Sequence, residues 1–367
     1  MYTFLVKRFL LGIFTVFAIS VISFLIIQLP PGDFVDRYVE TLLGAQAAGT
    51  ELAQTIEDDL RIQYGLDKPA YIQYLKWMNK VIRGNFGFSL EYQKPVWDVV
   101  QDRLVNTIIL AGGTILFTWV IALPIGIYSA VRHNSIEDYG VTFLGFLGLA
   151  IPDFLLALAL MWISFFWFDA SVGGLFSSEF AEAAWWYGGI WNISPGGTVL
   201  GPEFTSGCYV SDIERYVDCG WNYARAWDMI KHLWIPAVVL GTAGTASLVR
   251  IMRNNLLDEL SKPYVITARA KGISEWKLIL KYPVRVALNP LISTIGYILP
   301  FLISGSVIVS VVLALPTVGP LLLAALLSED LFMAATIIFL LGVMTVIGTL
   351  FSDILLGLMD PRIRIES

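Results

Sequence analysis

The sequence predicts an all-α integral membrane protein: six transmembrane helices, two external inserts and one basic cytoplasmic segment. Three observations carry this. Of 367 residues, 56% are hydrophobic and only 15% charged, against about 25% charged in an ordinary soluble domain. Apolar stretches long enough to cross a hydrocarbon core, ~20 residues each, recur at about 9–29, 104–128, 140–168, 233–252, 291–313 and 334–357. Basic residues cluster on one side of these stretches. Each span must satisfy its own backbone in lipid, so helices are expected, and the alternating ten-residue strands of a barrel are absent from the sequence.

In chain order, Lys7-Arg8 and the first apolar run resemble a signal peptide. The run is too long for such a region, and Gln28-Leu29-Pro30-Pro31-Gly32 offers no small-residue cleavage site, so it reads as a retained helix over 1–29. Residues 30–103 form an external segment with its own structure. Thr50 to Arg61 is amphipathic, Ile62 to Pro69 reads as a helix end and turn, and Tyr71 to Val81 resumes helical spacing. Arg83-Gly84-Asn85-Phe86-Gly87-Phe88-Ser89 supplies a glycine-rich turn. Residues 104–168 hold the second and third spans.

Residues 169–232 form the second external insert, rich in Trp, Tyr and Gly: Trp185, Trp186, Tyr187, Trp191, Trp221, Tyr223 and Trp227 among them. Aromatic belts mark membrane–water interfaces. An interfacial cap, a docking surface or gate, and a sugar-stacking face all fit this composition. The two cysteines, Cys208 and Cys219, both lie here. On the outer side of a membrane they are expected to form a disulfide, two separate thiols being the alternative. Residues 233–357 hold spans four to six and enclose a cytoplasmic loop at 253–290; a cytoplasmic tail follows at 358–367.

With the N-terminus inside, Lys7-Arg8, Arg132, the loop and Arg362/Arg364 all fall on the cytoplasmic face, as the positive-inside bias requires. The external segments carry 11 Lys/Arg against 21 acids, so the formal net charge of −6 comes mainly from them. It implies no nucleic-acid partner.

The loop is the most informative stretch. Between 250 and 285 stand eight Lys/Arg and three acids. Residues 256–282 are expected to form two short helices, with Asp258 and Glu259 near the start of the first; Ser261-Lys262-Pro263 interrupts the chain, and Tyr264 to Lys271 is then a helical stretch. Gly272 closes that helix as a left-handed C′ residue, Ser274 caps the next, and Pro283 ends it. Ala268 and Ala270 beside Gly272 allow another protein surface to approach, and Arg269 and Lys271 can pair with its acids.

No Gly-x-x-x-x-Gly-Lys-[Ser/Thr] loop, His-Glu-x-x-His or Gly-x-Ser-x-Gly occurs. Neither a catalytic residue nor a metal site is therefore expected, and an intramembrane hydrolase lacks its nucleophile and base. The run Gly241-Thr242-Ala243-Gly244-Thr245-Ala246 reads as close helix packing. Within spans, Asp153 either lines a pathway and meets a substrate amine or caps a helix broken at Pro152. Asp353 reads as a structural partner for basic residues near Asp360-Pro361-Arg362. Ser304, Ser306 and Ser310 offer a polar path or close packing against a partner.

The run Tyr264-Val265-x-Thr267-Ala268-Arg269-Ala270-Lys271-Gly272-x-Ser274-Glu275 resembles the EAA loop of ABC importer permeases of the dipeptide/oligopeptide/nickel family. Further landmarks agree in order: Arg83-Gly84-Asn85-Phe86-Gly87-x-Ser89, Pro95-Val96, Arg103 with Asn106-Thr107, and Leu123-Pro124-x-Gly126. Ile151-Pro152-x-Phe154, Leu315-Pro316-x-x-Gly319 and Asp360-Pro361-Arg362-Ile363-Arg364 continue them. The long first external segment resembles the B-type subunit. Ile266 occupies the motif's leading glutamate position, and the 169–232 insert is longer than a minimal member needs.

The resemblance implies a multi-pass permease of a prokaryotic plasma (inner) membrane, importing di-/oligopeptides or similar solutes. It implies a second homologous permease, two ABC ATPase subunits that use ATP and Mg, and an external substrate-binding protein. No cofactor is implied for this chain. The ATPase-coupling residues would be Tyr264, Thr267, Ala268, Arg269, Ala270, Lys271, Gly272, Ser274 and Glu275. Oligosaccharide import is the alternative within this architecture. A secondary transporter would instead show ion-coupled repeated halves.

Overall fold

The computed structural model describes residues 2–27, 35, 39, 50–64, 68–89, 91–168, 173–177, 180, 186–187, 208–210, 215–217, 220–221 and 223–359. Helix α1 (Tyr2–Ile27) is followed by helices α2 (Glu51–Tyr64) and α3 (Ala70–Ile82). A two-residue hairpin, β1 (Phe88–Ser89) and β2 (Lys94–Pro95), leads into α4 (Val96–Val131). Then come α5 (Ile136–Ala150) and α6 (Asp153–Phe168). The second insert contributes β3 (Trp186–Tyr187), β4 (Cys208–Val210), β5 (Arg215–Val217) and β6 (Gly220–Trp221), paired antiparallel as β3–β6 and β4–β5. The remaining helices are α7 (Tyr223–Leu260), α8 (Pro263–Ala270), α9 (Glu275–Lys281), α10 (Pro283–Ala287), α11 (Asn289–Val312), α12 (Val318–Leu327) and α13 (Leu331–Met359).

Helices α4, α7 and the Phe332–Leu358 part of α13 are each long and apolar enough to cross a membrane. At ~1.5 Å per residue, α4 and α7 rise ~54 and ~57 Å, well beyond a ~30 Å hydrocarbon core. Both therefore extend past the membrane, and α7 carries the cytoplasmic segment on its last turns. This corrects one expectation. Asp258 and Glu259 belong to the end of α7, because Met252 and Leu256 prolong its buried face; the next helix starts at Pro263, where the ring suits a first helical position.

The third span takes the broken form that one reading of Asp153 required. The 140–168 stretch is not one straight helix but α5 and α6, bent by 100° at Ile151-Pro152. Proline disfavours helical geometry in the residue before it and has no N–H to donate, and Ile151 is extended (φ −81°, ψ 121°).

Helices α4 and α7 form the most extensive pair, with α11–α13, α1–α13 and α5–α7 next. Small residues set these approaches. A Cβ at Gly126 would lie 2.8 Å from Met252 Cβ, one at Gly241 would lie 2.8 Å from Phe117, and one at Gly148 would lie 3.1 Å from Thr242. The Gly241–Ala246 run thus packs helices, as its composition suggests.

The external end is stitched by hydrogen bonds between residues far apart in sequence. Asn106 donates to the Pro316 carbonyl at 3.0 Å, and the Val318 amide donates to Thr107 Oγ1 at 3.0 Å. Buried Ser89 donates to buried Asp330 at 2.6 Å, while Asp330 accepts from the Met333 amide at the start of α13. Gly84 (φ +77°) and Gly87 (φ +93°) turn the chain there, in a region glycine enters without steric cost. Four of the sequence landmarks, at 83–89, 95–96, 103–107 and 315–319, meet at this one joint.

Asp353 has a basic partner on another helix. Arg8 Nε of α1 lies 3.4 Å from its carboxylate. This tethers α1 to α13, and residues 360–367 lie outside the described ones.

Candidate functional site

The cytoplasmic segment is a compact helix pair closed on itself. Helix α8 ends at Ala270, Lys271 follows as its C-cap, and Gly272 takes φ +75° with open space around its missing Cβ. Ser274 occupies the N-cap of α9, its carbonyl accepting from Leu278 N at 2.8 Å; the hydroxyl makes no capping bond. Helix α9 ends before Pro283, which opens α10.

Apolar residues seat this pair on the foot of α7. Val265, Ala268, Leu278, Ile279, Val284 and Ala287 are buried in one cluster with Leu248, Met252 and Leu256. Burying a leucine or isoleucine side chain contributes ~1.5–3 kcal/mol, so the seat is firm. Ala268 faces inward. Of the small residues expected to admit a partner, only Ala270 and Gly272 are exposed, together with Ile266, Thr267, Arg269, Lys271, Ser274 and Glu275.

Polar contacts close the outer side. Arg269 reaches Glu275 through Nε at 2.6 Å and Nη2 at 3.2 Å across the Gly272 turn. That hydrogen bond holds the Glu275 carboxyl below the usual range and raises Arg269 above its own. Tyr264 donates to Glu259 at 2.6 Å, tying α8 to the end of α7. Burial, and then Glu259, push the phenol above its ordinary value. Arg269 is thus already paired within the chain, and Lys271 is an exposed cation at the end of α8.

The other expected positions scatter. Asp153 is the first residue of α6, half-buried at the bend. Ser310 is fully buried, its hydroxyl without a hydrogen-bond partner among the described residues, which favours packing over an open path. Ser304 and Ser306 fall in α11 where only the backbone is described. Cys208 begins β4, opposite Val217; its side chain and Cys219 lie outside the described residues, as does most of the Trp-rich insert. A cavity of about 250 Å³ near the external end of α7 is lined by Ser164, Lys231, His232, Trp234 and Leu313.

One cluster was missed from the sequence. At the cytoplasmic ends of α4, α5 and α7, Asp138 is 2% exposed and accepts four hydrogen bonds. They come from Ser129 Oγ (2.5 Å), the Asn134 amide (3.0 Å), Arg253 Nε (2.7 Å) and Arg253 Nη2 (2.8 Å). Ser135 caps α5 by accepting from Asp138 N. The Ser135-x-x-Asp138 spacing is a capping signature and was the available signal; nothing in it names Arg253, 115 residues away.

Comparison with known proteins agrees with this architecture. Residues 122–365 match the family model described as "Binding-protein-dependent transport system inner membrane component", and residues 1–111 match its N-terminal counterpart. The chain is 33% identical over 367 residues to the oligopeptide transport system permease protein AppB of Bacillus subtilis, covering 99% of this chain and 100% of that one. It is 28% identical over 371 residues to the dipeptide transport system permease protein DppB of Escherichia coli K12, covering 99% of each. To the di/tripeptide permease DppB of Pseudomonas aeruginosa it is 29% identical over 365 residues, again 99% of each. A long-helix membrane protein with a basic helix pair seated on its cytoplasmic face, matched from end to end, belongs to the inner-membrane permease components of binding-protein-dependent ABC importers, in which separate subunits hydrolyse ATP.

Proposed function

We propose that this permease carries di- or oligopeptides inward and takes its driving force at Tyr264–Glu275, gripped by two ATPase subunits. The observation that carries the coupling role is the self-closed helix pair on the foot of α7: apolar residues fix its inner side while Ala270, Lys271 and Gly272 stay exposed. A rigid knob of this kind can be pushed as a unit, and ATP-driven closure of the motor would tilt it and the spans it joins. ATP and Mg belong to the motor subunits. A second homologous permease completes the pathway, and an external binding protein delivers the solute.

The printed names of the relatives support peptides as the cargo. Asp153 fits that class. A half-buried carboxylate at a helix break, with no hydrogen bond to a described residue, suits a peptide's terminal amine.

The test is uptake of labelled dipeptide and hexapeptide into proteoliposomes bearing the purified complex, with ATP hydrolysis measured alongside. Gly272→Trp and Arg269→Glu are expected to abolish import while the complex still assembles. Normal import by both variants would remove the coupling role. Import of maltooligosaccharides but not peptides would overturn the cargo assignment.

A further inference from the structure

We infer that Asp138 and Arg253 are positioning residues of the transport cycle: their buried ion pair makes α5 move with the coupling segment, so that displacement of α8–α9 reaches the α5–α6 bend at Asp153. The inference builds on the coupling role proposed for Tyr264–Glu275.

The geometry is that of a joint. Arg253 lies two turns before the end of α7, beside Met252 and Leu256, which are buried against the α8–α9 pair. Its guanidinium meets Asp138 with two parallel bonds, the fork geometry that fixes orientation as well as distance. Ser129 of α4 and the Asn134 amide fill the remaining acceptor positions of the carboxylate. His133 Nδ1 stands 3.8 Å from it, and Arg132 is engaged with Glu137 at 3.2 Å.

The rest of the α5 seat is smooth. Its main neighbours are α4 and α7, and along α7 it presents Gly145 and Gly148 to Thr242 and Ala246. Small residues give close contact but no interlocking ridge that would fix register. Beside that stripe the Arg250 guanidinium of α7 lies over the exposed Phe146 ring, 4.8 Å from its centroid, while Phe143 and Leu147 are exposed. A cation over an exposed ring holds register weakly, at ~0.5–1 kcal/mol; the bidentate pair at the end of α5 is the contact that fixes it. Losing Arg253 leaves the Asp138 carboxylate, 2% exposed, without its compensating charge.

The assembled complex in nanodiscs provides the test, with Cys208 and Cys219 replaced by serine. Nitroxides are placed at the exposed positions Tyr139 of α5 and Asp258 of α7, and their separation is measured by electron–electron resonance without nucleotide and with ATP trapped. One narrow distance common to both states is expected in the otherwise native chain, and Asp138→Asn should broaden it. A shift between states larger than one helical turn, ~5 Å, would show that α5 is not carried with α7 and would overturn the inference. In transport, Asp138→Asn is expected to lower solute imported per ATP hydrolysed roughly tenfold, an ordinary size for coupling between sites. Arg253→Lys, which keeps the charge but not the fork, should fall between. Native coupling in Asp138→Asn alongside an uncoupled Gly272→Trp would sink this joint alone; native coupling in both would sink the coupling segment as well. Where Asp138→Asn fails to assemble, the distance in the otherwise native chain decides.

Discussion

The two ends of this molecule are built by opposite means. At the external joint, hydrogen bonds span most of the chain: Ser89 to Asp330, Asn106 to Pro316, Thr107 to Val318 and Thr336 to Phe86. At the cytoplasmic pair the polar contacts are local, Tyr264 to Glu259 and Arg269 to Glu275, and apolar packing on α7 does the seating. The external end locks several helices against one another through groups that cannot be exchanged for water without loss. The helix pair at the other end is preformed, closed by its own local contacts and seated by apolar packing. The coupling role proposed for Tyr264–Glu275 would draw on that contrast.

The contrast can be broken from either end. The largest expected effect is at the apolar seat: Leu278→Ala removes a fully buried side chain and should cost ~2–5 kcal/mol. Hydrogen exchange of the assembled complex would show it as lost protection confined to α8–α10. Next is Asp330→Ala, which strips the α13 start of its cap and leaves Ser89 buried without its acceptor, at ~2–3 kcal/mol. Thermal unfolding of the complex should fall, and the loss of protection should appear in β1, α12 and α13 together, because the joint is shared. Local loss at α13 alone would contradict a shared joint. Asn106→Ala should cost less, ~1 kcal/mol, since it removes one bond to a carbonyl.

The smallest effect sharpens the local side of the comparison. The folded Glu275 pKa lies below its unfolded value, so the Arg269 pair contributes fully above the unfolded value of ~4.3. Its contribution is lost as pH falls through the folded pKa. Exchange protection at the Gly272 turn should therefore be flat between pH 6 and 8 in the native chain and weaken only in acid. Glu275→Gln should show the weakened value at neutral pH. A change near pH 7 in the native chain would point to a different titrating group.

Much of the site was legible because its signals are local. Gly272 reads as a left-handed cap from one residue and its neighbours, Pro263 and Pro283 delimit helices by ring geometry, and apolar runs announce spans by length. Local signals also misled. Ala268 looks like a docking residue in a row of small side chains, but its helical phase turns it into the core with Val265.

By itself, then, the sequence determined the membrane class and the helix pair that interrupts its spans, because hydropathy and backbone chemistry act over a few residues or along one helix. Only the tertiary structure decided that the third span bends by 100°, that the landmarks at 83–89, 103–107 and 315–319 form one joint, and that Asp138 holds Arg253. These depend on which distant groups meet once helices pack, and a buried carboxylate accepts whichever donors the packing brings within reach.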